Sequence, residues 1–333
     1  MKKYSENTIE EFVYERNLQK RLFTPGPPSL LAENLTGLRP CFGRGDSDYR
    51  KVENEVLSEL GKISGHNHVV PLQGSASLAL EIIIHNFLHG NVLIISSGYY
   101  SDRLHEMALS ARRLTGHIKQ VNNIEWKELD ECVKQYDWVV SCSTETSLGL
   151  NLPIDSLVKM SKRCGAKLML DATASIGLQE GHNHADVIGY SSCKGLFGFT
   201  GAGFIAFNEV PSQEVPSFYL DLTTHLERRM TGPYHAVCSL LDVLPKHHEF
   251  SNAVKINKQI FCEQMKDYLV QDDAHQPLIC TYISKKLSAM DDTVVLYESR
   301  SNPKGQVVSH LGEVWLGSKA KGDILGYLDR SGI

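Results

Sequence analysis

The stretch Asp186-Val187-Ile188-Gly189-Tyr190-Ser191-Ser192-Cys193-Lys194-Gly195-Leu196-Phe197-Gly198-Phe199-Thr200-Gly201-Ala202-Gly203-Phe204 decides how the rest of the chain reads. An apolar run from Val187 leads into small hydroxyl residues and a single lysine. A glycine-rich turn and a second apolar run, Phe204 to Phe207, follow. The pattern predicts two strands joined by a turn, with Lys194 at the end of the first. A lysine among small and aromatic residues, away from other charges, is suited to act as a nucleophilic amine toward carbonyl compounds. An ordinary lysine beside a turn has the same local sequence, so the residues upstream must decide.

Upstream the chain alternates from residue 70 onward. Val69 to Leu72 precede Gly74-Ser75-Ala76-Ser77, which opens an amphipathic helix running to about Leu88. Strands are expected at 91–96, 117–121, 138–142 and 167–170, and helices at 102–115, 126–136 and 154–164. Such alternation indicates βαβ units, hence an α/β fold with a mostly parallel sheet flanked by helices. Ligands in such sheets bind at the carboxyl ends of the strands. Alternation fades near Pro211, a helix is expected around 235–244, and a long one from Ala253 to Val270. The expected organisation is a lead-in over 1–20, a large domain over 21–245 and a smaller C-terminal α+β domain over 246–333.

Four pieces precede Lys194 at strand ends of this one sheet. Gly74, Ser75 and Ala76 open a helix, whose free amides and dipole suit a phosphate dianion, although an ordinary N-cap by Ser75 reads the same way. Tyr100, or equally Tyr99, follows the strand ending at Ser96 and can lie flat against an aromatic ring. Ser143-Thr144-Glu145-Thr146-Ser147-Leu148-Gly149 offers hydroxyls, with a polar turn as the plainer reading. Asp171 ends the apolar strand Leu168-Met169-Leu170, where a buried carboxylate needs a cationic partner. A pyridinium N–H is such a partner, and Asp171 with Lys194 therefore points to pyridoxal phosphate (PLP).

The order resembles the class V, fold-type I PLP-dependent aminotransferases, and within them the 2-aminoethylphosphonate–pyruvate aminotransferases. Thr24-Pro25-Gly26-Pro27, Gly74-Ser75-Ala76-Ser77, Thr144-Glu145-Thr146, Asp171-Ala172-Thr173-Ala174-Ser175, Ser191-Ser192-Cys193-Lys194 and Thr231-Gly232-Pro233-Tyr234 carry the likeness. The resemblance implies that Lys194 forms the Schiff base with PLP, that Asp171 pairs with the pyridine nitrogen, and that Tyr100 stacks on the ring. It implies phosphate contacts from Ser75, Ala76 and Ser192, and from Thr231 of the second subunit of a homodimer whose active site lies at the interface. Thr146 would meet the phenolic oxygen. The implied substrates are a small amine such as 2-aminoethylphosphonate and pyruvate or another keto acid, which belongs to phosphonate metabolism.

The chain departs from that pattern in two places. Gln306-Val307-Val308-Ser309-His310 puts Val307 where the family carries an arginine for the substrate carboxylate, and valine cannot replace a guanidinium fork. Arg300, Lys304 and Arg44 are the candidates to take over. Tyr234 stands where the family has a small hydroxyl residue. Two other readings therefore stay open: a PLP lyase or desulfurase-like enzyme, and a catalytically idle scaffold of the same fold.

The 333 residues carry a net charge of -5, which disfavours nucleic acid and anionic membrane surfaces as partners. No apolar run approaches a membrane span, and the eight cysteines show no C-x-x-C spacing, so reduced thiols in a cytoplasmic protein are expected. His182 with His184, and His85 with His89, are read as surface histidines rather than metal ligands.

Overall fold

The structure, a computed structural model, describes residues 8–40, 43–131, 134–228, 230–301, 304–319 and 324–329. The first seven residues of the expected lead-in and the last four of the expected C-terminal domain lie outside these.

Seven strands form the main sheet: β1 (His68–Gln73), β2 (Gly90–Ser96), β3 (Ile118–Glu125), β4 (Trp138–Cys142), β5 (Lys167–Asp171), β6 (Val187–Ser191) and β7 (Ala202–Phe207). Their spatial order is β1-β7-β6-β5-β4-β2-β3. Only β7 runs antiparallel to its neighbours, as a strand joined to β6 by one short turn must. The rest of the sheet is parallel. Strand β2 lies between β3 and β4, so the chain leaves its end toward one side and resumes on the other. A crevice therefore opens beyond the carboxyl ends of β2 and β4.

Side chains alternate across the sheet and build one apolar cluster on each face. Leu93, Ile95, Val139, Leu168 and Leu170 point to one side, and Val92, Ile94, Val140 and Met169 to the other. Helix α1 (Ala76–Phe87) is buried over most of its length, including Leu80, Ile82, Ile83 and Ile84. Helix α2 (Tyr99–Thr115) begins three residues before the expected start, because Glu145 receives its first amides. Helix α3 (Ile154–Arg163) lies where expected. Strand β3 continues past Val121 to Glu125, its edge position tolerating Asn122 and Asn123. The expected helix from Trp126 is a 3₁₀ turn, Trp126–Glu131.

Helix α4 (His247–Gln264) starts and ends about six residues earlier than its apolar spacing indicates. It packs on the antiparallel pair Cys280–Ile283 and Gln306–Ser309 through Phe250, Val254, Ile279 and Val307. Arg21–Phe23 pairs in parallel with Val294–Leu296, so the chain just before Thr24 is stitched to the C-terminal strands. The proline-rich turn that follows is thereby delivered to the lysine.

Candidate active site

Lys194 sits in the turn between β6 and β7, half-buried, with its Nζ 5.7 Å from the centroid of the Tyr100 ring. Gly26 has φ +149°, and a Cβ there would stand 2.7 Å from Lys194 Cγ. Only glycine lets the Thr24–Pro27 backbone lie on the lysine stem, which explains a motif far away in sequence. Tyr100 rather than Tyr99 is therefore the aromatic nearest the amine.

Asp171 ends β5 and is 3% exposed. Its Oδ1 accepts from the Thr173 amide at 3.0 Å and from the Thr173 hydroxyl. Its Oδ2 lies 3.9 Å from Arg103 Nη2. Arg103 in turn stands 4.9 Å over the Tyr100 ring, and its Nε is buried without a partner. Asp171, through Arg103, and Lys194 thus converge on one tyrosine.

Tyr100 is held by a carboxylate that a reading of the sequence passes over as part of a polar turn. Glu145 Oε2 accepts from the amides of Tyr100 at 2.9 Å and Ser101 at 3.3 Å. Its Oε1 accepts from the Ser147 amide at 3.2 Å and the Ser147 hydroxyl at 2.5 Å. The side chain caps α2 from another segment, where the free amides and dipole favour an anion. Burial nevertheless raises its pKa, the four donors offsetting only part of the desolvation. Gly98, at φ +144°, leaves the room it needs, since a Cβ would lie 2.9 Å from Glu145 Cγ.

The other predicted residues fall into two groups. Thr146 is buried beside Tyr297, and its hydroxyl and the Tyr100 phenol are the groups nearest the Tyr297 hydroxyl. Burial, then the neighbouring Tyr100 phenol, pushes the Tyr297 phenol up. Ser75 occupies the N-cap position of α1 but its side chain makes no capping bond, so its hydroxyl and the first amides are available. Gly74 ties that turn to the lysine turn by donating to the Gly201 carbonyl at 3.0 Å. The Ser192 hydroxyl, by contrast, lies 2.5 Å from the Phe199 carbonyl and 3.3 Å from that of Ala202, where it braces the lysine turn.

Thr231 is exposed and lines a cavity of about 210 Å³ with Arg44, Tyr49, Arg228 and Tyr234. None of Lys194, Asp171, Tyr100 and Thr146 lines it. Two candidates for the missing arginine separate accordingly: Arg44 faces the Thr231 cavity, whereas Arg300 donates to the Tyr99 hydroxyl at 3.0 Å. Val307 is 1% exposed in an apolar cluster, a position no arginine head could share.

His85 and His182 are buried, not at the surface as their spacing suggests. His182 Nε2 lies 2.8 Å from the Ser175 hydroxyl, and burial lowers its pKa to about 4, so it packs as a neutral ring. The Cys142 thiol near the site is pushed well up, first by burial and then by Asp171 and Glu145, which removes it as a nucleophile.

No family model matches the chain. It is 29% identical over 252 residues to the 2-aminoethylphosphonate–pyruvate transaminase of Pseudomonas aeruginosa, which covers 68% of each chain. With that of Pseudomonas entomophila it shares 23% over 330 residues, 91% of this chain and 87% of the relative. The alanine–glyoxylate aminotransferase of a Nostoc species superposes with a TM-score of 0.75 at 18% identity, over 92% of this chain and 94% of that one. The chain is similar to PLP-dependent aminotransferases in sequence and in fold. Its architecture is theirs: fold type I, a mostly parallel sheet flanked by helices, with the C-terminal strands and α4 beside it.

PLP is the cofactor expected of that fold, and the residues present fit it. The Thr146 hydroxyl is buried with only the Tyr297 phenol near it, Ser75 is an uncapped cap, and Asp171 Oδ2 faces only Arg103 at 3.9 Å. Open polar groups of this kind suit a ligand that carries oxygens, a phosphate and a ring nitrogen.

Proposed function

We propose that the protein is an aminotransferase that takes the amino group of a small amine such as 2-aminoethylphosphonate and passes it to pyruvate or another keto acid. The single observation that supports this reading most is the convergence of Lys194 and, through Arg103, of Asp171 on Tyr100. The substrate names come from the curated relatives, which are transaminases for that pair.

In this reading Lys194 Nζ holds PLP, Asp171 Oδ2 accepts from its ring nitrogen, and Tyr100 packs against the ring. The Ser75 hydroxyl and the first amides of α1 hold the phosphate, and Thr146 meets the phenolic oxygen. When bound, PLP supplies an electron sink for a carbanion beside the amine nitrogen. Lys194, displaced by the substrate amine, then moves a proton at the carbon bearing that nitrogen, first as base and afterwards as acid. The Thr24–Pro27 backbone on its stem limits where Nζ can travel and keeps it over Tyr100. Water is kept from the inner side by Thr146, Glu145 and the apolar sheet beneath them.

The protein is further proposed to be a cytoplasmic homodimer, with Thr231 reaching the phosphate of the partner's site. Phe218, Tyr219 and Leu226 are exposed, two of them on the Thr231 cavity, which favours cover by a second copy. Cys142, Cys193, Cys262 and Cys280 are free thiols, which suits a reducing compartment.

The test is direct. Purified protein mixed with PLP is expected to gain a visible band that borohydride fixes covalently on Lys194. Adding 2-aminoethylphosphonate alone should then convert the bound cofactor to its amine form, and pyruvate should restore it. A band that returns with release of a fragment, and without pyruvate, would point to a lyase. No band at saturating PLP would leave a scaffold.

A further inference from the structure

We propose that Arg300, with the phenols of Tyr99 and Tyr297, forms the recognition site for an oxyanion carried by the substrate amine. The proposal rests on the aminotransferase reading above and adds the substrate class that the fold leaves open.

Arg300 is exposed, yet it is not placed by chance. Its loop is clasped to the site by hydroxyls: Ser299 donates to the Ser147 carbonyl, and Ser301 to the Ser147 hydroxyl at 2.7 Å. The Ser301 amide also donates to the Ser299 hydroxyl at 3.3 Å. Ser147 is the same residue that fills Glu145 Oε1, and Glu145 sets the first turn of α2. The loop is therefore registered against Tyr99 and Tyr100 through a short, partly buried chain of bonds.

At the end of that chain Arg300 Nη1 donates to the Tyr99 hydroxyl at 3.0 Å, and its guanidinium carbon stands 5.4 Å over the Tyr99 ring. The Tyr99 and Tyr100 rings meet edge to face, 5.2 Å between centroids, and Tyr100 is the ring beside Lys194. Because the Tyr99 oxygen accepts from Arg300, its own proton is left to donate outward. The Tyr297 hydroxyl, buried against those of Tyr100 and Thr146, is a further phenol on this side of Arg300. The groups acting on the charge of Arg300 are the phenols of Tyr99, Tyr100 and Tyr297, and no carboxylate is among them. One guanidinium with phenol protons beside it, and no carboxylate to neutralise it, matches a phosphonate, phosphate, sulfonate or carboxylate. The strand holding Val307 cannot supply this charge, being packed into an apolar cluster.

The experiment uses holoenzyme whose PLP has been shown, by borohydride fixation, to sit on Lys194. Apparent Kd values are read from the change of the visible band with 2-aminoethylphosphonate, with 3-aminopropanoate and with n-butylamine, whose tail is neutral. Arg300→Gln should weaken the anionic amines by roughly tenfold or more while n-butylamine changes less than about twofold. Arg300→Lys should recover part of the loss, and Tyr297→Phe should cost the anionic amines about threefold. In steady state the effect should appear in KM and leave kcat close to wild type. Equal losses for anionic and neutral amines overturn the proposal, as does a wild type that binds no anionic amine better than n-butylamine. In both cases the fixed PLP leaves the aminotransferase reading standing. Absence of fixation on Lys194 removes that reading instead, and this proposal with it.

Discussion

Two carboxylates flank Tyr100, both almost wholly buried, and they are built in opposite ways. Glu145 is 0% exposed and has four donors shared over its two oxygens. Asp171 is 3% exposed, with one oxygen filled by Thr173 and the other facing only a guanidinium at 3.9 Å, beyond hydrogen-bond reach. A filled carboxylate pins the segments that donate to it. One with an open oxygen is ready for an N–H that arrives with a ligand. Burial alone does not separate a structural acid from a chemical one; the unfilled valence does.

That division makes opposite forecasts for the two ends of the site, and the largest effect belongs to the open end. Lys194→Ala should lower turnover by roughly 10²–10⁴-fold, the range of a lost proton-transfer group, and abolish borohydride fixation. Its thermal midpoint should stay near wild type, since the side chain is half-buried beside a turn. Asp171→Asn keeps an acceptor for Thr173 but loses the negative charge, and kcat should fall by about 10²–10³-fold with little change in stability. An Asp171→Asn enzyme within tenfold of wild type would erase the contrast and class Asp171 with Glu145.

The large sheet was readable because each strand end carries its own local sign. Lys194 stands before a glycine turn, Asp171 after an apolar run, Gly74 and Ser75 before a helix, and alternating burial of the strands follows from composition. What was not readable depends on contacts between segments far apart. Glu145 reads as one residue of a polar turn until α2 is seen to end on it, and that contact also moved the start of α2 from Asp102 to Tyr99. Arg103 carries no sign of its own in the sequence, yet its position one turn after Tyr100 folds it back over that ring to Asp171. Ser192 looked free for a phosphate and is occupied by backbone carbonyls, a matter of turn geometry. The C-terminal strands are only two to four residues long and carry little periodicity, so the pairing of Arg21–Phe23 with Val294–Leu296 had no signature.

The filled end should fail by losing the fold's local order rather than its chemistry. Glu145→Ala leaves four buried donors without a partner and should cost about 1–3 kcal/mol, read as a lower denaturant midpoint. Its pH dependence carries a sign that checks the argument. The folded pKa of Glu145 is raised above the ordinary 4.5, so the folded state holds its proton more tightly than the unfolded chain. Its contribution is then greatest below 4.5 and declines as pH rises toward the folded value. Glu145→Gln cannot ionise, so its stability relative to wild type should improve across that window. The reverse slope would mean the four donors outweigh burial.

The smallest effect lies between the two ends, at Arg103, and it sharpens the comparison most. Its side chain is 27% exposed and its distance to Asp171 is 3.9 Å, so solvent screens the pair and its worth is about 1 kcal/mol or less. Arg103→Gln should therefore weaken PLP binding by no more than roughly fivefold, read from quenching of intrinsic fluorescence, and less so at high salt. If Arg103 merely fills space over Tyr100, glutamine should serve and salt should be indifferent. A salt-dependent loss in the wild type that Arg103→Gln abolishes shows instead that the guanidinium charge acts on Asp171 while its oxygen waits for a donor. A loss as large as that of Asp171→Asn would mean that arginine and aspartate act as one unit, and that the open valence belongs to the pair.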